Sequence, residues 1–381
     1  MPDIDIGKKI SEARSKLGFT QAYLSSKLGV ARSTLAEMES GQRRVTAEEL
    51  YSLADMLGRP LIYFFSQSNP EYSFAFRVTG KGSEEDAHKA LVKLDNRLNE
   101  IRSLERYSGI AAKTRLKQYQ IDKWRSPVVA GRNIAQSERA RLGLGNLPVP
   151  NIRDILERQM NLFAFGDYFP SGGLSGAFGS DGEHSALLIN VAHIRGRVNF
   201  TLAHEFGHAV VSKVGAHVEF RNSTDGDEEM FADSFASNFL IPREVIEEVI
   251  ETNDVDLPRI TSDEVLMLAS QFGVSFLAML ARLEHFGMID PKDSNRLKKE
   301  AKPISRSKQL GLPDPREEFA PLPMIYQRMA FLSFHKQSIS RSRLAEFLGL
   351  DADEAYRRYL LWADEIIAAP RSGEAVSATH D

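Results

Sequence analysis

Two histidines four residues apart, inside an apolar run with helical spacing, constrain this 381-residue chain more than any other feature. The run is Thr201-Leu-Ala-His-Glu-Phe-Gly-His-Ala-Val-Val211. Four residues is about one helical turn, so His204 and His208 should leave the same face and can share a metal ion. Glu205 lies between them, where a carboxylate can accept a proton from metal-bound water. The motif therefore predicts a Zn²⁺ site of the kind that peptidases use.

A second apolar helix is predicted from residue 229 to a proline at 242. Phenylalanines and alanines at helical spacing should pack it against the first helix. Glu229 and Asp233 would then share one face, and buried carboxylates need a partner. Glu229 would complete a His-His-Glu set with a fourth position for water, and Asp233 would hold the second ring nitrogen of His204.

Two alternatives apply to this acidic stretch. Glu228 competes with Glu229 for the ligand role. The whole run of acidic residues from 225 to 229 would alternatively be a solvated helix N-terminus, where negative charge is favourable.

Several flanking segments extend the match beyond the metal motif. They are Leu187-Leu-Ile-Asn190, Arg197-Val-Asn-Phe-Thr, Glu229-x-x-Ala-Asp-x-Phe-Ala236, Leu240-Ile-Pro242, Leu268-Ala-Ser-Gln-Phe-Gly-Val-Ser275 and Arg282-Leu283. With them, residues 138–289 resemble the ImmA/IrrE family of zinc metallo-endopeptidases, which usually has Asn at the position of Asp233. The resemblance implies limited proteolysis of a transcriptional repressor, often of the helix-turn-helix type.

The N-terminus predicts two short helices joined by a turn that contains a glycine. One begins after the Thr20 cap and ends at Gly29, and the next runs from near Ala31 to Gly41. Residues 6–65 resemble the Cro/repressor-like (XRE) family. The resemblance places one group of side chains in the major groove (Gln21, Arg32, Ser33, Thr34) and another on DNA phosphates (Lys27, Arg43, Arg44).

The net charge of residues 1–65 limits the DNA affinity that we expect. Residues 1–65 hold nine Lys or Arg and eight Asp or Glu, a net charge of +1. Because phosphate contacts dominate non-specific affinity, we expect weak binding by the monomer and dependence on a homodimer. Glu37 would read a cytosine amino group or repel the backbone. A module used only for protein contact is the alternative.

Composition indicates an intracellular protein of two or three domains. No cysteine is present, so disulfides are excluded and the zinc ligands must be nitrogen and oxygen. The chain opens on acidic residues rather than a signal peptide, and its apolar runs are too short to span a membrane, so we expect a cytoplasmic location. The net charge of −4 argues against a protein that coats nucleic acid generally.

Five regions are predicted along the chain: a helix-turn-helix domain at 1–65, a linker and helical connector at 66–136, a metallopeptidase domain at 137–290, a C-terminal helical region at 291–370, and a disordered tail at 371–381. In the connector, apolar residues at near-heptad spacing from 83 to 107 indicate a helical hairpin packed on the peptidase domain or, alternatively, a dimer seam. A loop is predicted around Pro127, and 303–323 reads as a surface connection.

Short strands at 162–166, 176–179 and 185–191 follow predicted helices at 138–144 and 152–160. The predicted fold class is therefore mainly α with a small β-sheet, α+β. Ser175–Phe178 is the candidate edge strand that could bind an extended peptide beside the metal. Gly207, inside the zinc helix, indicates the close approach of another backbone, since glycine there costs about 1 kcal/mol relative to alanine.

These features together predict a regulator that binds operator DNA and cleaves a protein, either a helix-turn-helix repressor or its own N-terminal region. Zinc would lower the pKa of its water, and Glu205 would take the proton and pass it to the leaving amine. Tyr168, His193 and His217 are candidates for stabilising the oxyanion. The alternatives are a non-enzymatic transcription factor with a structural or sensory metal site, and an antitoxin that neutralises a partner by binding.

Overall fold

The computed structural model describes residues 5–59, 61–65, 75–79, 84–120, 126–169, 175–211, 226–316 and 319–368. These residues form many helices and one small sheet, so the predicted α+β class is confirmed. The chain divides into two compact units. One comprises residues 1–99 and 113–323, and the other comprises residues 100–112 and 324–381.

The first five helices build the N-terminal module. They are α1 (Ile6–Lys16), α2 (Gln21–Leu28), α3 (Arg32–Glu39), α4 (Ala47–Met56) and α5 (Leu61–Phe65). The Thr20 hydroxyl accepts a hydrogen bond from the Tyr23 N–H and so caps α2, which ends at Gly29 with φ of 74°. A positive φ is a conformation that glycine adopts without steric cost. The predicted ends of α2 are confirmed, and α3 begins where predicted but ends at Glu39, two residues before the predicted end at Gly41.

Four described strands form one sheet in the order β1-β3-β4-β2. They are β1 (Ala75–Thr79), β2 (Leu162–Asp167), β3 (Gly176–Ser180) and β4 (Ser185–Asn190). β3 pairs antiparallel with both β1 and β4, and β2 pairs parallel with β4. The last three strands were predicted and the first was not. β3 lies between β1 and β4, so the prediction that it forms an edge of the sheet is wrong. β1 pairs with the side of β3 that was expected to be open.

Five further helices follow in the chain. They are α6 (Glu84–Ser108), α7 (Pro127–Arg141), α8 (Ile152–Met160), α9 (Arg195–Val211) and α10 (Asp227–Leu240). α9 and α10 pack through aromatic rings: the Phe206 ring lies edge-on to Phe235 and Phe239 at centroid distances of 5.2 and 5.5 Å. A Cβ on Gly207 would lie 3.0 Å from the Phe235 ring, so the close neighbour predicted there is a side chain and not a backbone.

Two predictions for the connector are wrong. α7 begins at Pro127, where a loop was predicted, because proline is well suited to the first position of a helix. α6 is one continuous helix and not a hairpin. Its apolar positions are already buried inside the chain and cannot form an exposed dimer seam; these are Leu91, Leu94, Leu98, Ile101 and Leu104.

The remaining helices complete both units. They are α11 (Arg243–Thr252), α12 (Ser262–Gln271), α13 (Phe276–His285), α14 (Pro291–Glu300), α15 (Pro303–Gln309), α16 (Met324–His335), α17 (Arg341–Leu348) and α18 (Ala352–Ala368). α15 lies within the predicted surface connection at 303–323, which is thus partly helical. The predicted disordered tail lies outside the described residues.

No single described helix has both the length and the apolar composition needed to cross a membrane. Helices α12 and α13 meet that test only as a pair, and they are bent by 101° relative to each other.

Candidate metal centre

One face of α9 carries both histidines of the metal motif. The two Nε2 atoms of His204 and His208 lie 3.1 Å apart, which is the consequence of their one-turn spacing. The His204 side chain is 12% exposed and that of His208 is fully buried. Two ring nitrogens this close need a shared proton or a shared cation between them.

Glu229 reaches the same point from the first turn of α10. Its carboxylate oxygens lie 3.2 Å from His204 Nε2 and 3.4 Å from His208 Nε2. The three ligand atoms lie within 4.8 Å of one another, and among the described residues this is the group of three with metal-binding geometry. Glu228 is not in this group. A set of two imidazole nitrogens and one carboxylate oxygen fits zinc at a catalytic site.

Asp233 lies one turn further along α10 and contacts the opposite nitrogen of His204. Its Oδ1 is 2.9 Å from His204 Nδ1. A carboxylate in this place holds the Nδ1 proton, which leaves Nε2 available to bind a metal. The side chain of Asp233 is 64% exposed, so its effect on His204 is partly screened by solvent.

The carboxylates of Asp233 and Glu229 lie close enough to His204 to change its pKa. Burial opposes protonation of His204, but hydrogen bonds with Asp233 and Glu229 outweigh it and raise the pKa of His204 to about 10. Hydrogen bonds with His204 and His208 hold the pKa of Glu229 well below its usual range, despite burial. Both shifts favour the charged forms, an imidazolium at His204 and a carboxylate at Glu229.

Glu205 is fully buried and lies against the start of β3. A Cβ on Gly176 would come within 3.2 Å of Glu205 Oε1 and 2.7 Å of a methyl carbon of Thr201. A side chain at position 176 would therefore collide with Thr201 of α9. Sequence reasoning did not single out Gly176, although a glycine inside a strand indicates a close approach of this kind.

A buried amide fixes the N-terminal half of α9. The Asn199 side chain donates hydrogen bonds to the carbonyls of Pro150, at 2.9 Å, and Gly273, at 2.7 Å. Gly196 touches the same turn, because a Cβ there would lie 2.3 Å from the Ser275 nitrogen. The turn between α12 and α13 therefore supports the helix that carries both histidines.

A large cavity opens beside the metal centre within the same unit. Its volume is about 1290 Å³, and Asp233 borders it together with the apolar side chains of Phe200 and Met230. A cavity of this size is large enough for side chains of a bound peptide.

The three candidates for the oxyanion role lie in different places. Tyr168 follows β2 and is 63% exposed. His193 precedes α9, and its buried Nε2 has no hydrogen-bond partner among the described residues. Burial and then Arg197 lower the pKa of His193, which favours the neutral imidazole. His217 lies outside the described residues.

The predicted DNA-contacting residues cluster around α2 and α3. Arg32, Ser33, Lys27 and Arg44 are exposed, and Thr34 is half-buried. Two others engage acidic partners: the Gln21 amide donates to Glu39 Oε2 at 2.9 Å, and Arg43 pairs with Glu49 at 2.8 Å.

Two family models match the chain. Residues 10–64 match the helix-turn-helix model, and residues 169–284 match the peptidase M78 model, described as the IrrE N-terminal-like domain. The second match includes the metal centre and β3, and the first includes α2 and α3.

Curated relatives match this chain over short stretches of sequence. An uncharacterized transcriptional regulator in the ATPase CF(0) region of Rhodospirillum rubrum is 33% identical over 64 residues, which is 17% of this chain and 59% of that protein. An uncharacterized HTH-type transcriptional regulator of Sinorhizobium medicae (strain WSM419) is 32% identical over 66 residues, 17% of this chain and 48% of that protein. The chain thus spans about half the length of these relatives.

A solved structure aligns over 96% of both chains: Bacillus thuringiensis PlcR in complex with the peptide PapR7 and DNA. It shares 11% identity with a TM-score of 0.17, and this similarity carries no conclusion about fold.

Proposed function

We propose that this chain, which joins a helix-turn-helix DNA-binding domain to a domain of the M78 peptidase family, is a transcriptional regulator with zinc-dependent endopeptidase activity. The observation that carries the proposal is the convergence of His204, His208 and Glu229 on one point, with Glu205 buried beside it.

The protein groups have separate roles in this proposal. His204, His208 and Glu229 would hold Zn²⁺, which as a Lewis acid supplies an acidified water and polarises the scissile carbonyl. Glu205 accepts a proton from the attacking water at its carboxylate and donates it to the leaving amine. Asp233 acts only through His204, whose Nδ1 proton it holds.

The N-terminal domain would bring this activity to DNA. Exposed polar and basic side chains on α3 and its flanks support major-groove and phosphate contacts, and the small net charge supports weak binding by a single copy. We propose operator DNA as one partner, a homodimer as the DNA-binding form, and the cytoplasm as the location.

The protein substrate is proposed as a repressor of the helix-turn-helix type or the chain's own N-terminal region. Cleavage of either would switch gene expression in a stress or mobile-element response. A non-enzymatic regulator with a sensory metal site is the competing function, and the same metal centre would serve it.

Metal content tests the first step of the proposal. Mass spectrometry of the purified protein should find about one zinc per chain, and the Glu229→Ala variant should lose it because a three-ligand site is reduced to two. The matched control is Glu228→Ala, which should retain the metal. Protein that holds no zinc after zinc is added back would refute the peptidase mechanism.

Catalysis is tested separately with Glu205→Gln. This variant should bind zinc as the parent does and fail to cleave, since it lacks the proton acceptor. If cells carrying Glu205→Gln keep all regulation, the non-enzymatic function is correct instead.

A further inference from the structure

We propose that the outer edge of β3 is the peptide-binding edge of the metal centre, and that β1 of the same chain occupies it until an extended substrate displaces it. This inference rests on the proposed peptidase function, and in it the pairing of β1 with β3 inhibits that function. It concerns backbone pairing, so the side chains of β1 play no part in it.

The edge in question passes the candidate general base. Gly176, the first residue of β3, lies against the Glu205 carboxylate, and Thr79 of β1 is paired with Gly176. Neighbouring strands are about 4.8 Å apart. A strand bound along this edge of β3 therefore lies one strand spacing from Gly176, the residue of β3 that approaches the Glu205 carboxylate.

The pairing pattern identifies the groups that this edge offers. Ser175 accepts a hydrogen bond from the Asn190 N–H, and the Asp181 N–H donates to the carbonyl of His184. Because hydrogen-bonded pairs alternate along an antiparallel ladder, the odd-numbered residues of β3 bond to β4. The even-numbered residues, Gly176, Phe178 and Ser180, then turn their backbone groups toward β1.

The partners on β1 follow from the register. Phe178 is opposite Arg77, and the two flanking pairs join Gly176 to Thr79 and Ser180 to Ala75. These are main-chain hydrogen bonds, which any extended peptide can make. A substrate and β1 would thus compete for the same donors and acceptors.

β1 has the properties of a strand that can dissociate from β3. It is five residues long and stands at the end of the strand order. Its pairing is also remote in sequence, since β3 begins almost one hundred residues after β1 ends, whereas β3 and β4 form a hairpin. Short edge strands without local connections open at low free-energy cost relative to the core.

Two proline variants separate this inference from a general loss of structure. Arg77→Pro removes an N–H that faces Phe178, and Val78→Pro removes one that points away from β3. Both are made in full-length protein carrying Glu205→Gln, so that bound peptide is not cleaved. Amide hydrogen exchange of β3 is measured by mass spectrometry. Fluorescence anisotropy measures the binding of a fluorescein-labelled peptide that has the sequence of residues 73–81.

The expected result is selective. Arg77→Pro should speed exchange at Phe178 and bind the labelled peptide at least about tenfold more tightly than the parent, because opening of the edge no longer limits either event. Val78→Pro should behave as the parent. Equal exchange and equal peptide binding in all three proteins would overturn the proposal, and so would an equal effect of both prolines.

The peptidase function is tested in a separate experiment. With Glu205 intact, zinc-loaded Arg77→Pro should cleave a pool of internally quenched peptides faster than Val78→Pro. If exchange and binding change as expected while no protein cleaves the pool, occupancy of the edge is supported and the peptidase function is refuted. If cleavage is equal in both and exchange is unchanged, the peptidase function stands and the role of β1 is refuted.

Discussion

Replacing Asp233 tests how the metal centre is tuned. Asp233 makes one hydrogen bond to the ring of His204, a proposed metal ligand, with its Oδ1 2.9 Å from Nδ1. Removing a partner of this kind costs about 10- to 100-fold in metal affinity. Because 64% of the Asp233 side chain is exposed, we expect Asp233→Ala to fall at the low end, about tenfold, or about 1.4 kcal/mol.

Asp233→Asn separates orientation of the ring from charge. The amide oxygen of asparagine can still accept the Nδ1 proton, and only the negative charge is lost. We expect a weakening of about two- to threefold, since solvent screens most of that charge. The charge control is Asp227→Asn, an exposed residue in the first turn of the same helix, which should leave the affinity unchanged.

The assay is competition for zinc against a fluorescent chelator at pH 7.5 and fixed ionic strength. A weakening by Asp233→Asn equal to that of Asp233→Ala would show that charge, and not orientation of the ring, carries the effect. No weakening in either variant would refute the reasoning about the Nδ1 hydrogen bond altogether.

Three further predictions follow from other parts of the structure. Because the pKa of His204 is raised to about 10 without metal, zinc binding at pH 7.5 should release about one proton and strengthen as pH rises; titration calorimetry in buffers of different ionisation enthalpy that finds no release would contradict this. Gly131→Ala should destabilise the protein by about 1–3 kcal/mol, since its Cβ would lie 2.5 Å from the Phe231 carbonyl oxygen; an unchanged midpoint in urea unfolding would contradict it. Arg44→Ala should weaken binding to duplex DNA and reduce the slope of log affinity against log salt by about 0.9, and an unchanged slope would remove Arg44 from the phosphate contacts.

Local signals explain which elements could be predicted from the sequence. Thr20 and Gly29 mark the ends of α2 by capping chemistry that acts within a few residues. The spacing of His204 and His208 places both rings on one face of any helix. Pro127 was misinterpreted because proline marks both loops and helix starts, and local sequence does not separate the two.

Non-local pairing explains what was missed. Nothing within residues 75–79 specifies a partner strand almost one hundred residues away, so β1 and its coverage of β3 were not predicted. The contact between Gly176 and Glu205 has the same origin, because it depends on how the sheet and α9 pack. The roles of Glu229 and Asp233 could be predicted only because their spacing agrees with the metal motif at residues 204–208.

The support that Asn199 and Gly196 receive from the turn at residues 273–275 sets a lower limit on any working fragment of this domain. A fragment that ends after α10 would contain every proposed zinc ligand and the general base. It would still lack the carbonyl of Gly273, one of the two carbonyls that the Asn199 amide binds, so the first half of α9 would lose part of its anchor. Engineering a minimal zinc-binding unit from this chain therefore requires the segment through Ser275, more than thirty residues beyond the final ligand-bearing helix.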